Sequence, residues 1–173
     1  MADPLCPISL AITCSLVSSP STSIPAWLSK CFPETVWRLT CNFVSGSSVP
    51  IDVKVLGVSG MAAAQVTLFY DNSLMTYDSV TAGDFLKGDT DPLLVVTSNP
   101  GINRLIFYTS SLSSDLPSND GDGVIATVNF TLNGSTDTSV DFGSDTSNNI
   151  MLDVDGGNIT VNDVVGASIL INE

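Results

Sequence analysis

The chain has 173 residues, a formal net charge of −13 and no histidine. This length suits one domain, or one domain with an extra arm, and is sufficient to bury a hydrophobic core. The charge argues against nucleic acid as a partner, because no basic stripe is present to release counterions from a phosphate backbone. The absence of histidine removes Ser-His-Asp and Cys-His nucleophiles and the usual zinc sites, which leaves carboxylate-pair chemistry. The acidic residues stand mostly in turn sequences, so we predict a non-catalytic protein.

Residues 1–43 differ in composition from the rest of the chain, and we place the domain boundary after them. They hold all four cysteines, both tryptophans and five of the nine prolines. Three interpretations stay open: a signal, a disulfide-bonded arm with three possible cysteine pairings, or a wrongly assigned start. The apolar run "PLCPISLAITCSLV" has no basic segment before it, as a signal peptide would, and Pro interrupts it too often for a membrane span.

From residue 44 onward, apolar and polar residues alternate with a period of two, which is the pattern of strands with one buried face. The alternation is clear in "PIDVKV" (50–55), "AQVTLFYD" (64–71) and "GVIATVNFTL" (123–132). We therefore predict strands of an antiparallel sheet with one packed face. The residues predicted to face the core are Ile51, Val53, Val55, Val66, Leu68, Tyr70, Val124, Ala126, Val128, Phe130 and Leu132.

Turn signals separate these strands, and no convincing helical period appears in residues 44–173. We interpret "LGVSGM" (56–61) and "SNDGDG" (118–123) as turns, together with "YDNSL", "KGDTDP" and "LNGST". The segments "LLVVTS" (93–98) and "RLIFYT" (104–109), joined through "NPGIN", predict a β-hairpin. Many short strands with frequent turns favour an all-β protein, either a β-sandwich or a jelly roll.

The acidic stretch "LDVDGGNITVNDVV" (152–165) has two interpretations. Asp153 and Asp155 suit the first and third ligands of a calcium-binding loop. The fifth, ninth and twelfth positions of that loop would then lack side-chain oxygens, and no amphipathic helix follows. We therefore favour two strands and a turn that hold no metal.

The order of these segments resembles the cohesin domain, the receptor module of cellulosome scaffolds and related surface proteins. The resemblance covers about residues 44–172 and is carried by "SGSSVPIDVKVLGVSGMAAAQVTLFYDNSLMTYDSVTAGDFL", "RLIFYTSS", "DGDGVIATVNFTL" and "DVVGASILI". It implies an all-β jelly-roll β-sandwich of about nine strands, in antiparallel sheets. It also implies a non-catalytic module that binds a dockerin-like partner through one exposed sheet face, outside the cell or at its surface. Calcium is expected on the dockerin, so no cofactor is expected on this chain.

The resemblance further implies which residues touch the partner. Gln65 and Thr109 stand where relatives carry acidic contacts, and residues 158–160 form the next-to-last strand, before a closing strand at 168–171. The polar anchors of the usual interface are therefore absent, whereas an outward apolar patch is kept. The predicted partner-binding residues are Gln65, Thr67, Phe69, Ile106, Tyr108, Thr109, Ser111 and Asn158.

Two other functions share the sandwich architecture, because a fold alone does not fix a function. The first is a carbohydrate-binding module that contacts polysaccharide through a planar row of aromatic rings. Both tryptophans lie in the arm, so such a row would depend on Tyr70, Tyr77 and Tyr108. The second is a structural surface or adhesin domain, which the acidic, Thr-rich strands would suit.

Overall fold

The computed structural model describes residues 8–14, 40–99, 103–115, 117–142 and 148–171. Within these residues every regular element except one short helix is a β-strand, and no helix is long and apolar enough to cross a bilayer. The strands are β1 (Ser9–Cys14), β2 (Thr40–Phe43), β3 (Ser48–Met61), β4 (Ala63–Tyr70), β5 (Met75–Ala82), β6 (Leu93–Asn99), β7 (Arg104–Ser110), β8 (Asn119–Leu132), β9 (Thr138–Asp141), β10 (Ile150–Leu152), β11 (Asn158–Ile159), β12 (Asp163–Val165) and β13 (Ala167–Ile171), with a 3₁₀ turn at Asp84–Leu86 after β5.

The strands form the two sheets of a sandwich. One sheet has the order β12-β1-β3-β8-β5. The other has the order β11-β10-β4-β9-β13-β2, and β7 and then β6 extend it from the opposite edge of β4. The predicted all-β jelly-roll sandwich with mainly antiparallel sheets is confirmed. The described residues contain thirteen strands rather than about nine, and two of these, β1 and β2, come from residues before 44.

The core lies between the sheets and contains the residues that the alternation places there. Ten of the eleven predicted core residues are buried, and the rings of Tyr70 and Phe130 pack with centroids 5.0 Å apart. The prediction is wrong for Val124, which pairs with Lys54 and is only half-buried. The register shifts between the pairs Val53–Ala126 and Lys54–Val124, so that Ile125 is an extra residue and takes the core position.

Two segments predicted as turns are instead paired with each other. "LGVSGM" is the end of β3 and "SNDGDG" overlaps the start of β8, with register shifts between them. Gly57 and Gly60 have φ values of 65° and 69°, which a glycine adopts without strain. Their N–H groups donate to the carboxylates of Asp122 and Asp120, each at 2.6 Å. The glycines and acids that suggested turns therefore build bulges in a continuous strand pair.

The first strand of the sandwich comes from the predicted arm. β1 lies between β3 and β12, and its Leu10 and Ile12 side chains are buried in the core. The boundary predicted after residue 43 therefore does not separate the arm from the sandwich in the described residues. Cys14 at the end of β1 is disulfide-bonded, but the other cysteine side chains lie outside the described residues. The choice among the cysteine pairings stays a prediction.

The acidic stretch folds as strands and a turn. β10 and β11 form an antiparallel hairpin, and β12 and β13 follow. At the turn, the carboxylate of Asp153 accepts hydrogen bonds from the N–H groups of Asp155 (2.9 Å) and Gly157 (2.7 Å). Asp153 thus stabilises the turn in the way that is common for this residue type. The closing strand predicted at 168–171 corresponds to β13.

Candidate binding face

The outer side of the second sheet carries most of the residues that the sequence places at a binding site. β6, β7, β4 and β10 lie side by side, and their registers align the outward residues into rows across the strands. We number these rows from the end of the sheet at which β6 begins. The first row is Leu93, Ser110, Ala63 and Leu152; the second is Val95, Tyr108, Gln65 and Ile150; the third is Thr97, Ile106 and Thr67; the fourth is Asn99, Arg104, Phe69 and, on β9, Asp141.

Large apolar side chains are exposed in the first two rows. Leu93, Val95, Tyr108 and Ile150 are 45%, 48%, 41% and 37% exposed, and we call these four residues the apolar surface. Leu112 and Val154, also exposed, follow the ends of β7 and β10 beyond the first row. These six are among the seven exposed large hydrophobic residues found in the described part of the chain. Such a concentration on one face is typical of a protein–protein contact surface.

The polar groups in the middle of the face are already hydrogen-bonded within the chain. β4 pairs with β10 at one end and β9 at the other, and Asn148 and Asn149 bridge the gap between them. The side-chain oxygen of Asn149 accepts from the Thr67 N–H, and the Thr67 hydroxyl donates to the Asn148 carbonyl, each at 3.0 Å. The Gln65 amide donates to the same carbonyl at 3.4 Å. Thr67 is only 2% exposed, so it is not part of the accessible surface.

The structure brings five other predicted site residues together. Gln65, Phe69 and Ile106 are half-buried on this face, and Tyr108 is exposed in the second row. Asn158 is exposed on β11 and pairs with Leu152, so it extends the first row. Their common position follows from strand alternation, because every second residue of β4 and β7 faces outward.

Two predicted contacts lie elsewhere. Thr109 faces the core, where it pairs with Ala64 and is 2% exposed. Because its side chain points inward, Thr109 is not placed to contact a partner, and the predicted contact is corrected at this residue. Ser111 lies beyond the end of β7, half-buried, and its N–H donates to the Ala62 carbonyl at 2.9 Å.

Charge is placed at one end of the face. The four rows contain two charged residues, Arg104 and Asp141, and both are in the fourth row. The first three rows are therefore uncharged, although the chain as a whole carries −13. Across the described ranges, no three Cys, Asp or Glu side chains are grouped as a metal site. This arrangement can bind an apolar surface, with charged groups only at its edge.

Several residues of the first two rows were not predicted from the sequence. Leu93 and Val95 belong to "LLVV", where both faces of the strand are apolar, so alternation does not show which residues are exposed. Ile150 and Leu152 lie on β10, a three-residue strand directly before the acidic stretch, too short to show a period. Ala63 precedes the clear alternation of β4. A signal for Leu93 and Val95 was present in the predicted hairpin, because pairing with β7 places them beside Ser110 and Tyr108.

The described strands form a β-sandwich that exposes large apolar side chains on one outer face. A sequence model described as the cohesin domain matches residues 42–170, which is most of the chain. The chain belongs to the cohesin domain family, and the predicted resemblance is confirmed.

One curated relative is similar to part of this chain. Cellulose-binding protein A of Clostridium cellulovorans is 35% identical over 101 residues, which are 58% of this chain and 5% of that protein. The chain thus corresponds to a small part of the length of this curated relative.

Solved structures share the fold at low sequence identity. A non-cellulosomal cohesin from Archaeoglobus fulgidus has a TM-score of 0.66 and 13% identity, covering 97% of this chain and 93% of that chain. The sixth cohesin from scaffoldin B of Acetivibrio cellulolyticus, solved in complex with a Cel5 dockerin, has a TM-score of 0.66 and 17% identity. That match covers 96% of this chain and 100% of the other.

Proposed function

We propose that this chain is a non-catalytic receptor module that binds a dockerin through the outer face of β6, β7, β4 and β10. The observation that carries the proposal is the apolar surface, which is exposed on one outer face of a cohesin-family sandwich. The scaffoldin B cohesin that shares this fold was solved with a dockerin bound. Family membership and the exposed surface therefore support the same kind of partner.

The chemistry of the face favours binding by apolar burial. Tyrosine is frequent among the residues that dominate binding energy, and Tyr108 stands in the second row between Val95 and Gln65. The amide of Gln65 and the hydroxyl of Thr67 are hydrogen-bonded within the chain. Contacts to the partner therefore depend mainly on Leu93, Val95, Tyr108 and Ile150.

We further propose that the module works outside the cell or at the cell surface. Disulfides persist mainly in oxidising compartments, and Cys14 is disulfide-bonded. Calcium belongs to the dockerin in this proposal. The acidic turn of this chain supports that assignment, because the Asp153 carboxylate is occupied by two backbone N–H groups.

Polysaccharide binding has less support from the aromatic residues. Tyr70 is 4% exposed and packs inside the core, and the centroid of the Tyr77 ring lies 6.3 Å from that of Phe130. Tyr108 is the one exposed tyrosine of the described residues. A planar row of rings for sugar stacking is therefore not formed by the three tyrosines that could have supplied it.

Direct binding tests the proposal. The immobilised chain is presented with a panel of calcium-loaded dockerins that includes the Cel5 dockerin, and in parallel with cellulose. We expect retention of at least one dockerin, with loss of binding when a chelator unfolds the calcium-dependent partner. Retention on cellulose together with failure to retain any dockerin would overturn the proposal.

A further inference from the structure

The first row of the binding face contains a pocket. Its volume is about 210 Å³. The small side chains of Ala63 and Ser110 are paired at the centre of the row, with Leu93 on one side and Leu152 on the other. Tyr108 and Ile150 border it from the second row. We call this depression the Ala63 pocket. It exists because two small residues are surrounded by four large apolar ones.

We infer that the Ala63 pocket receives one large apolar side chain from the partner, and that this insertion selects among dockerins. The inference rests on the proposed function and deepens it, because it states which chemistry the partner presents. A cavity of about 150 Å³ is enough for a benzene ring, so the pocket has room for a leucine or phenylalanine side chain.

The surroundings of the pocket disfavour a charged occupant. All of its lining residues are uncharged. Arg104 lies in the fourth row, six residues along β7 from Ser110, which is about 20 Å in a strand. A Lys or Arg inserted here would lose its hydration without a partner in the lining, which is costly.

Polar side chains are disfavoured for a second reason. The Ser110 hydroxyl donates to the Ser111 carbonyl at 3.2 Å, and the Gln65 amide donates to the Asn148 carbonyl. These two donor groups of the pocket lining are therefore already engaged inside the chain. A Ser, Thr or Asn of the partner would leave its own polar atoms poorly satisfied when buried, whereas Leu, Ile, Met or Phe would not.

The first experiment probes the pocket without a dockerin. The ¹⁵N-labelled chain is titrated with N-acetyl-leucinamide and, separately, with N-acetyl-lysinamide. The leucine probe is expected to move the amide signals of Ala63, Ser110 and Leu152, and the lysine probe to leave them in place. Ala63→Leu fills the pocket from its centre and abolishes the shifts, whereas Thr81→Leu, a matched change on exposed β5, preserves them. Equal shifts with both probes, or no shifts at these residues, would overturn the inference.

The second experiment uses a dockerin retained in the panel. Ala63→Leu is expected to raise its Kd at least about tenfold, and Thr81→Leu less than about twofold. If Ala63→Leu does not fold, Leu93→Ala removes one wall and is expected to weaken binding in the same direction. Unchanged Kd values in the pocket variants would overturn the inference and leave the proposed function intact. If the leucine probe shifts the pocket signals but no dockerin is retained, the proposed function is overturned and the pocket still binds an apolar side chain.

Discussion

The two outer faces of the sandwich differ in how their side chains are satisfied. On β3, β5 and β8, outward polar residues bond to each other: the Thr127 hydroxyl donates to Asp52 and the Thr131 hydroxyl to Asp78, each at 2.7 Å. We call this side the polar face. On the opposite side, the apolar surface is exposed. None of the exposed large hydrophobic residues in the described part of the chain lies on β3, β5 or β8.

The strands of both sheets meet two separate requirements, which are burial on the inner face and a distinct composition on the outer face. Alternation with a period of two places one set of residues in the core of both sheets, and each outer face is then free to differ. Further polar groups of the polar face bond to each other, since the Asn129 amide donates to the Ser79 hydroxyl at 3.1 Å. The apolar surface keeps large side chains in water at a cost in free energy that contact with a partner would remove. The composition of the outward residues therefore distinguishes the candidate binding face from the polar face.

The largest expected effect is on stability and concerns β1, the strand of the arm that joins the sheet with the polar face. Deletion of residues 1–39 removes β1, and with it the buried side chains of Leu10 and Ile12. These two contribute about 3–6 kcal/mol by burial, against a typical domain stability of about 5–15 kcal/mol. We expect the shortened chain to lose cooperative unfolding, or most of its free energy of unfolding, in a urea titration followed by circular dichroism.

A point substitution controls for the size of this deletion. Ile12→Ala leaves the chain intact and is expected to cost about 2–5 kcal/mol of the free energy of unfolding. A shortened chain as stable as the full chain would show that β1 is dispensable. That result would favour a wrongly assigned start over a structural arm.

The next largest expected effect is on dockerin binding, and it compares one substitution on each outer face. β6 and β5 are edge strands of the two sheets, and both Val95 and Thr81 are exposed on them. We expect Val95→Asp to weaken dockerin binding by about 2 kcal/mol, or about thirtyfold in Kd, because it puts a carboxylate into the apolar surface. Thr81→Asp is expected to leave the Kd unchanged. Isothermal titration calorimetry measures both constants.

The stability of the two variants decides how the binding result is understood. Both sites are exposed, so each change is expected to alter the free energy of unfolding by less than about 0.5 kcal/mol. Equal weakening by the two variants would mean that the partner does not distinguish the faces. Binding lost only in Thr81→Asp would move the interface to the polar face.

Most of the fold could be predicted because burial on one face gives a simple sequence pattern. Strands β3, β4 and β8 alternate clearly, and the prediction holds at residues such as Val53, Val66 and Phe130. It is wrong at Val124, because the bulge at Ile125 reverses the phase, and one extra residue leaves no mark in composition. The same limit applies to Gly57 and Gly60, which suit a turn and a bulge equally well.

The candidate site was less predictable, because it combines residues from four strands. The outward direction of Tyr108 follows from its neighbours on β7, but the burial of Thr67 depends on Asn148 and Asn149, about eighty positions away in the chain. Thr109 was carried over from the resemblance, and the local alternation of β7 already argued for an inward position. The Ala63 pocket required the register of β6, β7, β4 and β10, which no single segment contains.

The smallest effect concerns the bulge at Gly60, where an aspartate carboxylate makes part of the stability depend on pH. The Gly60 N–H and, secondly, the Ser59 hydroxyl donate to the Asp120 carboxylate and hold its pKa below the ordinary 3.8. The folded state thus favours the ionised form. This contribution is present above the unfolded pKa and is lost as the pH falls through the lower, folded pKa. The pKa of Asp71 is also lowered, by bonds from Ser73, so part of the acid sensitivity is independent of Asp120.

Asp120→Asn separates this contribution from the rest. The wild-type Tm is expected to fall on acidification from about pH 5 to about pH 2.5, and the variant Tm to fall by less, because the asparagine amide does not titrate. Ser59→Ala removes only the second hydrogen bond and is expected to give an intermediate result. Thermal unfolding followed by circular dichroism at both pH values measures the difference. An identical fall in wild type and Asp120→Asn would mean that the ionised Asp120 stabilises the Gly60 bulge no more than an asparagine does.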